Sequence, residues 1–218
     1  MASVSKSNSE RSNLQRGKGR SSRNTILLAA AKLATTEGLT GLSLGTLASE
    51  LGMSKSGLYA HFKSKQELEL ATIETAAEIF DSEVLQPALM APPGIERIRA
   101  LVNSFLSHIE RGVFPGGCFF AAAAAELDTR PGLTRDRVVE VLNKWFSLLK
   151  QCIGDAKDLR EISPDTEVPQ VVFEIEAMLL AGNFLFIMMN DSIHLIQARD
   201  GVENVLKRLA VNANSQGR

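Results

Sequence analysis

Between Ser43 and Lys65 the chain reads SLGTLASELGMSKSGLYAHFKSK, and no other stretch restricts the fold as strongly. Leu44, Leu47, Ala48 and Leu51 recur at i, i+3, i+4 and i+7, which puts four apolar side chains on one face of a helix about two turns long. Ser43 stands where an N-cap belongs, and Gly52 follows the last periodic residue, where a left-handed residue ends a helix without a Cβ penalty. Ser54 then caps a second helix almost at once. Its Leu58 and Phe62, one turn apart, meet the apolar face of the first. Two short helices joined by a tight turn make a helix-turn-helix.

On the second helix Ser56, Gly57, Tyr59 and Ala60 point away from that core, a small polar face suited to close approach to a polyanion. Ser64-Lys65-Gln66-Glu67 has the form of a capping box, so a third, longer helix starts there. Its N-terminus and Lys65 lie beside the same face, and both attract phosphate. The run Leu58-Tyr59-Ala60-His61-Phe62-Lys63-Ser64-Lys65, placed after Leu47-Ala48 and Gly52-Met53-Ser54, closely resembles the DNA-binding signature of the TetR family of bacterial transcriptional regulators. Spacing, turn glycine, aromatic pair and terminal lysine all match together. The resemblance implies a dimeric, all-α regulator, in which an N-terminal three-helix helix-turn-helix domain is joined by a long helix to a helical ligand-binding and dimerisation domain.

The resemblance also implies roles for single residues. Tyr59 and His61 would contact the phosphate backbone, with Lys63 and Lys65 adding charge and Ser43 offering a further contact. Ser54, Lys55, Ser56 and Gly57 are the candidates to approach base edges, with Thr46 flanking them. Lys55 suits guanine O6 and N7, but the recognition helix holds no Arg, Asn or Gln for a bidentate pair, so the operator sequence cannot be derived. The expected partner is double-stranded DNA at a pseudo-palindromic site. The last two helices would pair with their copies as a homodimer.

The net charge of −1 conceals an asymmetry. Residues 1–65 carry ten Lys or Arg against three Glu, a balance of +7, whereas the remainder carries 14 basic and 22 acidic residues, a balance of −8. A basic N-terminal part on an acidic body points to nucleic acid at one end only. Residues 1–21 are poor in apolar side chains and rich in Ser, Arg and Lys, and are expected to be a disordered basic tail or an arm that follows phosphates. The expected division is a tail at 1–21, a DNA-binding domain at 22–68 and a ligand-binding and dimerisation domain at 69–218.

Along the body only helical patterns occur. Ile26, Leu27, Ala30, Leu33 and Ala34 mark a helix over 22–37, and the helix from Lys65 is expected to run to about Leu85, before Pro87, Pro92 and Pro93 punctuate a connection. Further helices are expected over Ile95–Glu110, over Cys118–Leu127, and through Val138 to Cys152, the last giving way to a connection from Gly154 to Ser163. The final pair spans about Glu167–Asp191 and Ile193–Val211. The former is apolar nearly all round and is expected to be buried. Its most apolar run, Ala177–Met189, is 13 residues and broken by Gly182 and Asn183, too short to span a bilayer, so no membrane partner is expected.

Two cysteines, Cys118 and Cys152, make no disulfide framework, and the first residues show no apolar signal segment; both fit a cytoplasmic setting. Cys118 would sit at a helix N-terminus, where a thiolate is favoured, although a small buried hydrophobe is the simpler reading. Gly41-Leu42-Ser43-Leu44-Gly45 formally matches a nucleophile elbow, but no strand precedes it and Ser43 reads as an N-cap. No catalytic constellation, metal-binding spacing or cofactor motif emerges, so no enzyme activity, metal or cofactor is expected. Phe105, His108, Phe119, Phe120, Glu126, Trp145, Phe146, Glu176, Met178, Asn183 and Phe186 are candidates to line an apolar effector cavity with a few polar anchors. Glu126 and Asn183, polar groups in apolar runs, each require a partner, and His108 is expected to be a satisfied core or pocket histidine. The expected function is a repressor released from DNA by a small, largely apolar molecule. The alternative is a DNA-binding regulator without such an inducer, constitutive, protein-regulated or an activator.

Overall fold

The computed structural model describes residues 22–211, so the basic tail at 1–21 and residues 212–218 lie outside the described part. Helix α1 covers residues 22–37 and buries Ile26, Leu27, Ala30, Ala31 and Ala34. These meet Leu44, Leu47 and Ala48 of α2 (Leu44–Glu50), and Leu58 of α3 (Lys55–Tyr59) together with Phe62. Gly52, at φ +60°, makes the turn between α2 and α3. The guanidinium of Arg23 lies 4.8 Å from the Phe62 ring centroid and covers this small core from outside.

Helix α4 (Lys65–Phe80) leaves that unit and does not stop where the prolines predict. It passes through a π turn at Asp81–Leu85, continues over Gln86–Leu89 and carries Pro87 within its last turn. The wider register reconciles the proline with the helix. Gln86 N–H donates to Asp81 O, five residues back, so the ladder is already reorganised where Pro87 has no N–H to give.

The body comprises α5 (Ile95–Glu110), α6 (Phe119–Leu127), α7 (Leu133–Asp158), α8 (Val168–Met189) and α9 (Ile193–Leu209). Among the described residues the only β pairing is an isolated bridge between Ile162 and Ala210. The expected end of α7 at Gly154 is corrected: the helix runs on to Asp158, because Cys152, Ile153 and Ala156 continue its buried stripe past the glycine. Gly in a helix interior costs only about 1 kcal/mol. Arg160, at φ +57°, lies just beyond the end. α4 is tied to α7 by a fork from Arg137 to both oxygens of Glu74, at 2.5 and 2.8 Å, and by Thr134 Oγ1 donating to the buried Glu69 at 2.9 Å.

Helix α8 is a second correction. By length and composition it is apolar enough to cross a membrane, and it is not enclosed: Val171, Val172, Ile175 and Leu179 are buried, whereas Phe173, Leu180, Phe184 and Met188 are exposed on the opposite side. α8 packs closely on α9 through Gly182, where a Cβ would stand 2.7 Å from Ala198 Cβ. Ile193 and Ile196 of α9 extend the uncovered apolar surface.

Candidate nucleic-acid interface and effector cavity

Three serine caps shape the first candidate surface. Ser43 Oγ accepts Thr46 N–H at 3.0 Å and lies 2.8 Å from Thr46 Oγ1; Ser54 Oγ accepts Gly57 N–H at 3.1 Å and lies 3.2 Å from Ser56 Oγ. Ser64 Oγ accepts Glu67 N–H at 3.1 Å. The capping box closes one residue early, since Glu67 accepts from the amide of Lys63 at 2.9 Å and not from Ser64. A Cβ on Gly45 would meet Lys55 Cε at 3.5 Å, so the Lys55 stem lies against the first turn of α2, bringing Ser43, Thr46 and Lys55 onto one surface. Ser54, Ser56, Lys63 and Lys65 are exposed with them, Gly57 and His61 are half-buried, and Tyr59 keeps 59% of its surface in solvent. An aromatic ring that exposed beside lysines contributes little to the core. Lys65 is already engaged within the fold: its ammonium donates to Thr40 O and lies 3.9 Å from Glu69.

The body contains a cavity of about 250 Å³. Ala77 and Phe80 of α4, Leu85 in the π turn and Phe105 of α5 form one side. Opposite them stand Cys118, Phe120, Ala121 and Ala124 at α6, Val141, Leu142, Trp145 and Phe146 of α7, and Glu176 and Leu180 of α8, with Lys144 at the exposed rim. Phe80 packs edge-on to Phe105, Phe120 and Trp145, with ring centroids 6.3, 6.0 and 5.6 Å away. Trp145 Nε1–H donates to Glu176 Oε2 at 2.8 Å. Burial pushes the Glu176 carboxyl above its usual range, and the indole hydrogen bond only partly opposes this.

Five of the sequence candidates, Phe105, Phe120, Trp145, Phe146 and Glu176, line this cavity; the others lie elsewhere. His108 and Phe119 form a layer behind it, His108 against Phe80 and Phe114, and Phe119 against Phe120 and Phe114. His108 is buried, yet among the described residues neither ring nitrogen has a hydrogen-bond partner, and desolvation pushes its pKa down to about 4. The expectation of a satisfied histidine is therefore corrected. Met178 packs on Gly201 between α8 and α9, and Phe186 is half-buried against the core. Asn183 Oδ1 accepts the amide of Cys118 at 2.9 Å and holds the start of α6.

Glu126 sits at the opposite end of α6, facing the helix-turn-helix unit. Its carboxylate accepts from Leu39 N at 2.6 Å, from Thr40 N at 2.9 Å and from the Thr40 hydroxyl, while Arg130 donates to that hydroxyl at 2.9 Å. Nearby, Gly116 N–H donates to Thr35 Oγ1 at 3.0 Å, and a Cβ on Gly116 would fall 2.0 Å from Thr35 O. The polar residue in the alanine-rich helix thus has its partner in the protein, across to the α1–α2 turn. Cys118 is no thiolate; burial pushes it up to about 11. The cavity residues missed from sequence, chiefly Phe80, Leu85, Ala121 and Ala124, had one available signal: alanines in an otherwise bulky apolar body leave volume unfilled.

Comparison with known proteins agrees with this arrangement. Residues 26–72 match the description "Bacterial regulatory proteins, tetR family", and residues 94–202 match "Tetracyclin repressor-like, C-terminal domain". The chain is 33% identical over 88 residues to the HTH-type transcriptional activator FasR of Mycolicibacterium smegmatis, a match spanning 40% of each protein. It is 28% identical over 164 residues to the nucleoid occlusion factor SlmA of Vibrio campbellii, covering 75% of this chain and 78% of that one. A TetR transcriptional regulator from Chloroflexus aurantiacus shares the fold with a TM-score of 0.82 at 24% identity, over 88% of this chain and 98% of that one. With both halves matched, the chain belongs to the TetR family of DNA-binding transcriptional regulators, which are not enzymes.

Proposed function

We propose that the protein is a homodimeric repressor released from its operator when a small molecule fills the cavity. The observation that carries this reading is the path from cavity to DNA-binding unit: α6 lines the cavity with Phe120, Ala121 and Ala124 and, two residues further on, grips the α1–α2 turn through Glu126. α4 lines the same cavity and begins at Lys65, beside α3. A ligand that fits better when these helices are displaced draws the two recognition surfaces away from DNA spacing.

On this reading residues 22–68 bind DNA and residues 69–218 bind the effector and the second copy, in the cytoplasm. Ser54, Lys55, Ser56 and Gly57 approach bases with Thr46, while Ser43, Tyr59, His61, Lys63 and Lys65 hold phosphates. The uncovered faces of α8 and α9 pair with their copies, so that two α3 helices enter successive major grooves about 34–36 Å apart. The likeness to FasR supports a second reading, activation, which differs only in the sign of the transcriptional response. Native mass spectrometry of the purified dimer tests the main reading. A bound molecule whose removal tightens binding to a duplex selected from a random library is expected; a molecule whose removal leaves that affinity unchanged contradicts it.

A further inference from the structure

Glu176 is the one acidic residue among those lining the cavity, and among the described residues no cation is paired with it. The titratable lining groups are Cys118 at α6, Lys144 of α7 and Glu176 of α8, while α4, its π turn and α5 contribute only apolar side chains. Cys118 is a neutral thiol. Lys144 is exposed at the rim, where its charge acts on Glu74 at the surface. Among the described residues the hydrogen bond that Glu176 receives comes from Trp145, onto Oε2, and Oε1 receives none. Glu176 is half-buried, and a carboxylate partly withdrawn from water among apolar walls gains from a counter-charge.

The walls around it are aromatic. Phe105 and Trp145 stack at 6.2 Å with 24° between their planes, and Phe80 stands edge-on to both and to Phe120. An aromatic lining attracts a desolvated cation within about 6 Å of a ring centroid, and a carboxylate at the same place adds the opposite charge. An anion would instead meet Glu176 in a site with little water to screen it.

We infer that the cavity takes a compact organic cation, an ammonium group on an apolar body, with Glu176 as counter-ion and Phe80, Phe105, Phe120 and Trp145 as the surrounding cage. The inference rests on the reading of the cavity as the effector site. Trp145 is a positioning residue as well as a wall, since its indole N–H fixes Oε2 and leaves Oε1 to the ligand.

Trp145 is the only tryptophan in the chain, so its fluorescence reports occupancy directly. The full-length dimer is titrated with three probes of one skeleton and different charge: 3-phenylpropylamine, 3-phenylpropanol and 3-phenylpropanoate. The ammonium is expected to bind at least about tenfold more tightly than the alcohol, and the carboxylate most weakly. In Glu176→Gln that preference disappears through the loss of ammonium binding. Equal or tighter binding of the alcohol or the carboxylate overturns the inference, as does a preference that survives in Glu176→Gln or an ammonium that does not bind. The comparison of probes on the unmodified protein stands even where the variant folds poorly. Anisotropy of a selected DNA duplex separates the two claims. Release by all three probes regardless of charge keeps the effector site and removes the cation; tight ammonium binding without release keeps the cation site and removes the repressor reading.

Discussion

At the scale of single residues, Lys63 and Lys65 differ in a way their side-chain chemistry does not show. Lys63 is exposed and, among the described residues, is held through its backbone amide by Glu67, whereas the Lys65 ammonium bonds Thr40 O beside Glu69. If both meet phosphates, Lys63→Ala lowers the slope of log affinity against log salt by about one, with the melting temperature unchanged. Lys65→Ala lowers the slope and the melting temperature together. Equal slopes in all three proteins across a salt series contradict the phosphate assignment. His108 yields a prediction of a different kind. Its pKa in the fold is about 4, below the ordinary 6.5, so protonation opposes folding. The stability is complete above about pH 6.5 and is lost as pH falls from there toward 4, by up to about 3 kcal/mol. Urea midpoints of His108→Leu change less between pH 7 and 5 than those of the parent protein; parallel curves contradict it.

At the scale of elements, α6 is nine residues long and is held at both ends, by Asn183 at its start and through Glu126 near its end. Glu126→Ala removes charge-assisted bonds to two backbone amides, each worth roughly 1.5–3 kcal/mol. Its expected effect is faster hydrogen exchange at Leu39 and Thr40 and a melting temperature lower by several degrees. Exchange at those amides unaltered in the variant contradicts the role of Glu126 as a clamp. The elements themselves were largely legible from the chain, because the Leu44/Leu47/Ala48/Leu51 stripe and the caps at Ser43, Ser54 and Ser64 are local signals. Failures came where a long-range contact or a change of register decided the outcome. Pro87 reads as a breaker unless the preceding turn is a π turn, and Gly154 reads as an end unless Ile153 and Ala156 find a core to bury in. Glu126 and Asn183 were recognisable as groups in need of partners, but no spacing within α6 or α8 could reveal that those partners are the amides of Leu39, Thr40 and Cys118.

At the scale of the whole molecule, α8 leaves an apolar face uncovered. Phe173, Leu180, Phe184 and Met188 follow a helical repeat on the side away from the core, and Ile193 and Ile196 of α9 adjoin them. If that face is buried between two copies, as proposed, Phe184→Asp is expected to give a monomer at micromolar concentration without loss of helical circular dichroism. A variant that remains dimeric moves the interface elsewhere. In the proposed dimer the distance between the two α3 helices is fixed by that pairing, and the cavity is lined by α4 and α6, which reach the helix-turn-helix unit. If the cavity is the effector site, a larger side chain within it acts as a partly occupied site does. The most direct measurement is the affinity of the folded Ala124→Leu dimer for a duplex selected by the unmodified protein. Binding weaker by about 5- to 150-fold is expected, the range of a coupling of about 1–3 kcal/mol. Undiminished affinity in the folded Ala124→Leu dimer contradicts it.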